Sequence, residues 1–74
     1  MTEEDGVSVY KVIDIIGTSD QSWEHAAVTA VTTAGRTVRD MRVAEVVEQD
    51  LHIEEGGAIT YRVKLQISFK YESE

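Results

Sequence analysis

The sequence predicts an α+β fold with the element order β-α-β-β, and three observations carry that prediction. From Ile59 to Tyr71 every odd position is apolar and every even position is polar, the period-2 pattern of one long strand with a buried and a wet face. Glu54-Glu55-Gly56-Gly57 stands just before it and reads as a hairpin turn, because paired glycines accept the positive φ such turns need. Trp23, Ala27, Ala30, Val31 and Ala34 fall at spacings that build one face of a helix.

In chain order, residues 1–7 are polar and acidic and read as a flexible arm. Ser8 to Ile16 is the first strand, stopped by Gly17-Thr18-Ser19-Asp20 as a turn. Ser19 or Asp20 caps a helix over residues 21–34, with Asp20 and Glu24 near the positive end of its dipole. Val28, Thr29, Thr32 and Thr33 are weak helix formers, yet no alternation supports a strand there. Gly35 is expected to close the helix in the left-handed cap conformation, with Arg36 at the negative dipole end. Val38 to Ile53 is the second strand, Ala58 to Tyr71 the third, and residues 72–74 a tail. One domain therefore occupies residues 8–71.

At roughly 3.3 Å per residue the last strand is about 40 Å long, more than twice the usual strand. A chain of 74 residues buries only about 60% of its unfolded surface, so local packing cannot cover such a strand. The absence of cysteine excludes both disulfides and a cysteine zinc site, which leaves association or other ligands as the staple. Fourteen acidic against seven basic residues give a formal charge of −7, which disfavours nonspecific binding to nucleic acid or an anionic membrane and favours cations. No apolar run approaches the ~20 residues of a membrane span, and the N-terminus is acidic rather than basic, so a cytoplasmic protein is expected.

Glu48, Gln49 and Asp50 form the most interesting oxygen cluster. A hard cation such as Ca²⁺ takes six to eight oxygens, and successive side chains of one strand point to opposite faces. A site at Glu48 or Asp50 therefore needs ligands from another chain, a backbone carbonyl or water. Asp14 interrupts the apolar first strand and has three readings: a subunit contact, an ion pair with Lys11 or Arg42, or a cation ligand. Arg62 and Lys64 lie on the polar face of the last strand, where Glu45 is expected across from one of them. Val43 reads as an interface hydrophobe and Trp23 as core or helix-interface packing. His25 and His52 read as surface residues, and Ser19 with His25 lacks any oxyanion or G-x-S-x-G context, so no enzyme is expected. Gly56-Gly57 opens no helix and is no phosphate loop.

Y-K-V-I-D-I-I-G-T-S, A-E-V-V-E-Q and T-Y-R-V-K-L-Q-I-S-F, at these separations, resemble the dodecin family over residues 8 to 70. The resemblance implies a three-stranded antiparallel sheet wrapped around one helix and twelve copies in a hollow shell of cubic symmetry. It also implies a small-ligand storage or buffering protein. In flavin-binding dodecins a tryptophan before the A-E-V-V-like stretch sandwiches the isoalloxazine ring, and a glutamine after the T-Y-like pair hydrogen-bonds it. Those cofactor positions are Val43 and Arg62 here, a pattern that resembles the branch called calcium dodecins. In the flavin-binding branch the position of Glu48 lies beside the ribityl chain and a bound magnesium. The resemblance thus implies Ca²⁺ or another cation and favours Glu48 as a ligand, beside the candidates Asp50 and Asp14 read from the residues, with riboflavin, FMN or nucleotide-cofactor storage as the alternative.

Overall fold

The computed structural model describes residues 7–71, so the expected acidic arm, apart from Val7, and the tail lie outside the described residues. β1 (Tyr10–Ser19), α1 (Trp23–Ala34), β2 (Met41–Ile53) and β3 (Ile59–Lys70) follow one another in the expected order. The strands form one antiparallel sheet in the order β1-β3-β2, so the last strand in sequence is the central one in space. Alternation along β3 does what its pattern dictates: Val63 and Leu65 are buried under Ala26 and Ala30 of α1 and Ile67 is buried beside them on the same face, while Thr60 to Lys70 at even positions face away. A helix of this length spans about 18 Å, so it covers only the middle of β3. Among the described residues no helix is long and apolar enough to cross a membrane.

β1 does not stop at Gly17 but continues through Thr18 and Ser19, which pair with Arg62 and Tyr61. Gly17 sits inside the strand because α1 passes directly over it. A Cβ there would run into the Ala26 carbonyl oxygen and lie 2.8 Å from Ala30 Cβ. The helix cap is Ser22 rather than Ser19 or Asp20; its Oγ accepts from His25 N at 2.9 Å. Ser19 instead organises the turn before the cap, its Oγ accepting from Gln21 N at 2.9 Å.

Gly35 does close α1, but in a right-handed conformation, with φ −64°. The chain keeps turning through Arg36 and Val38, whose amides donate to Thr33 and Ala34, and β2 begins only at Met41. The left-handed residue at this end is Asp40, with φ 59°, and its carbonyl accepts from Lys70 N. At the hairpin Gly56 and Gly57 take φ of 91° and 95°, as their pairing predicts. Two register shifts in β2 leave Arg42 and Val47 without rungs of their own.

Gly17→Ala is expected to destabilise the fold by about 1 to 3 kcal/mol, since the helix backbone must move to admit a methyl group. Gly56→Ala meets nothing within 4 Å and carries only the conformational cost of positive φ, about 1 kcal/mol. Urea unfolding of both variants should rank Gly17→Ala as the worse, and the reverse ranking would contradict the close helix–strand approach.

Candidate functional site

The candidate residues sit on the sheet face turned away from α1, and the rungs fix their neighbours. Across β1, β3 and β2 these rungs read Val12–Ser68–Val43, Asp14–Gln66–Glu45, Ile16–Lys64–Glu48 and Thr18–Arg62–Asp50. Glu45 therefore lies across from Gln66, not from Arg62 or Lys64 as expected. The hairpin register is the cause: Ile53 pairs with Ile59, so Lys64 and Arg62 fall opposite Glu48 and Asp50, and Glu45 lies further along, beside Gln66.

Arg62 pairs with Asp50. Its Nε donates to Oδ1 at 2.7 Å and a terminal nitrogen donates to Oδ2 at 3.0 Å, the two-pronged geometry of guanidinium and carboxylate. Those hydrogen bonds hold the Asp50 carboxyl below the usual carboxylate range and raise the Arg62 guanidinium further. Both side chains are about half exposed, so solvent screens the pair and its net contribution to stability is small. The backbone of Asp50 is gripped from the other face: Trp23 Nε1 donates to its carbonyl at 3.3 Å, and the Trp23 ring meets Tyr61 edge-on at 5.2 Å. The helix start, the centre of the sheet and the carboxylate are thus one connected unit. Trp23 is packing, as its position predicts, but its hold on Asp50 needed the register to become visible.

Glu48 lies one rung along on the same face, across from Lys64, and makes no ion pair among the described residues. It stands about 7 Å from Asp50 along the strand. A cavity of about 30 Å³ opens between Ile16, Glu48, Asp50, Arg62, Val63 and Lys64. Asp14 is two strands over and one same-face step along, about 12 Å from Glu48 by sheet geometry. Of the ion pairs considered for Asp14 neither forms among the described residues. Lys11 pairs across from Phe69 on the helix side, and Arg42 sits in a register shift. No group of three or more His, Asp or Glu side chains close enough to hold a metal occurs among the described residues. Further ligands from water, a carbonyl or another chain are needed, as strand geometry requires.

Val43 and Arg62 are not brought together in one chain. Val43 pairs with Ser68, six residues along β3 from Arg62, a separation of about 20 Å. A pocket using both positions has to be completed by a second chain. The structure does bring Ser19 and His25 together, with Oγ and Nδ1 2.7 Å apart. His52 faces Glu54 at 3.7 Å, and Thr60 donates to the same carboxylate. A cavity of about 630 Å³ opens at the other end of the sheet between Lys11, Arg39, Asp40, Phe69, Lys70 and Tyr71. Its cationic lining is unsuited to a divalent cation.

Comparison with known proteins agrees with this fold. A calcium dodecin of Mycobacterium tuberculosis is 61% identical over 64 residues, 86% of this chain and 90% of that protein. A dodecin of Thermus thermophilus is 36% identical over 86% of this chain and 93% of its own length. The crystal structure of the M. tuberculosis calcium dodecin, described as calcium chelating with a novel calcium-binding site, superposes with a TM-score of 0.81 at 58% identity, covering 90% of this chain and 96% of that one. The dodecin of Streptomyces coelicolor gives 0.82 at 31% identity, with 90% and 96% covered. The dodecin sequence model matches residues 9–72, the whole of the sheet and helix just described, and the chain belongs to the dodecin family.

Proposed function

We propose that this chain assembles into a homododecamer that binds and buffers Ca²⁺ or a comparable divalent cation, without a catalytic cycle, through carboxylates on the outer face of β2. The observation that carries the reading is the 61% identity to a relative named for calcium. Glu48 is the best single candidate because it faces solvent without an ion pair, Asp50 is next, and Asp14 would join only across a chain boundary. Electrostatics favours the same outcome. Twelve chains of −7 carry a formal −84, and charge of one sign confined to a shell repels itself unless counterions are held nearby. The exposed apolar residues on both faces and at both ends of the sheet supply the association: Val12, Ile16, Val43, Leu51 and Ile53 have no cover in one chain.

Light scattering after size exclusion should give about twelve times the 8.3 kDa chain mass, and a stable folded monomer at micromolar concentration would exclude the assembly. A cation bound to the folded oligomer alone raises Tm with its concentration. Thermal unfolding in millimolar CaCl₂, in MgCl₂ and in NaCl of matched ionic strength, on the parent and on Glu48→Gln, tests the site. The expected result is a Ca²⁺ increment that exceeds the NaCl effect and shrinks in Glu48→Gln. Equal increments from all three salts, or an intact Ca²⁺ effect in Glu48→Gln, would overturn it.

Flavin is expected to bind weakly or not at all, since a valine offers no aromatic face and Arg62 is occupied by Asp50. Riboflavin or FMN should lose little fluorescence at micromolar protein. Quenching at nanomolar protein would mean that Trp23 or Tyr61 breaks its mutual contact to stack on the ring.

A further inference from the structure

The Asp50–Arg62 pair has a bearing on the proposed cation reading, on which the following rests. The cavity between Glu48 and Asp50 has room for about one water-sized occupant. Two carboxylates line it, and so do two cations, each on the rung opposite one of those carboxylates. The two sides differ. Glu48 and Lys64 form no ion pair, whereas Arg62 already occupies both oxygens of Asp50.

We propose that Arg62 is a tethered competitor for the cation: a divalent ion between Glu48 and Asp50 binds by displacing the guanidinium from the Asp50 carboxylate. The geometry allows the exchange. Trp23 holds the Asp50 backbone from the helix side, so the strand segment that carries the carboxylate keeps its place when Arg62 leaves. Arg62 is about half exposed and lies at the surface, so water takes over its hydrogen bonds once it swings away. The charge balance is simple. Glu48, Asp50, Arg62 and Lys64 sum to zero with the pair closed, and the arriving ion brings two positive charges beside cations that stay tethered. Arg62 therefore weakens cation binding relative to the bare carboxylates, chiefly by occupying Asp50. Such a device sets a buffer to a higher working concentration and lets the ion leave readily, since the displaced group remains beside the site.

Calorimetric titration of CaCl₂ into the assembled protein tests this. Arg62→Gln is expected to tighten Ca²⁺ binding by roughly two- to fivefold, the range for removing competition by an exposed ion pair. Arg62→Lys, which keeps the charge and loses the two-pronged contact, should fall between Arg62→Gln and the parent. Arg39→Gln removes the same charge at the other end of the sheet and should leave the affinity near the parent's. Adding Asp50→Asn to Arg62→Gln should abolish the gain. An affinity in Arg62→Gln equal to or weaker than the parent's, or an equal gain in Arg39→Gln, overturns the competition while leaving the cation reading standing. A parent without Ca²⁺ binding overturns both.

Discussion

The mismatch between one short helix and one long strand governs this molecule. α1 spans about 18 Å and β3 about 40 Å, so the helix can bury only the centre of the sheet. Val63, Leu65 and Ile67 are at most 1% exposed, while Ile59 and Tyr71 on the same alternating series are about half exposed. β2 lies further still from the helix, and all of it except Met41 is exposed. Close approach at the centre makes the most of the limited cover: Gly17 lets the Ala26 and Ala30 face of α1 settle onto the sheet with almost no side chain between them. What remains is apolar surface that a single chain has no means of covering. Folding and the proposed association thus address one and the same deficit.

Much of this was legible in the residues themselves. The alternation in β3 and the glycines of the hairpin act through local chemistry and stand where their patterns place them; of the helix face, Trp23, Ala27 and Ala30 pack on the core as their spacing predicts, but its most buried member is Ala26, which the spacing leaves out. The misreadings share a cause. Gly17 looks like a turn because glycine usually breaks a strand; its role depends on a helix that crosses it, and that contact is nonlocal. Gly35 was assigned a left-handed cap by residue type, yet the chain there winds on in a right-handed turn and Asp40 takes the positive φ. Ser19, Asp20 and Ser22 are all competent caps, and only the exact start of α1 decides among them.

The site was less legible than the fold because it depends on register. Glu48 and Asp50 were visible as a hard-oxygen pair, but their partners were not. Had β2 continued the alternation of Val43 and Glu45, then Val47, Gln49 and Leu51 would face outward and both carboxylates would point toward the helix. There the carboxylates would lie beside Val63 and Tyr61, with no cation on the rung opposite. The irregularity at Val47 reverses the faces. It sends Glu48 and Asp50 outward to Lys64 and Arg62, and it turns Gln49 and Leu51 inward to Val63 and Tyr61. One residue without a rung therefore decides whether the carboxylates of this strand stand opposite apolar side chains or opposite the cations of β3.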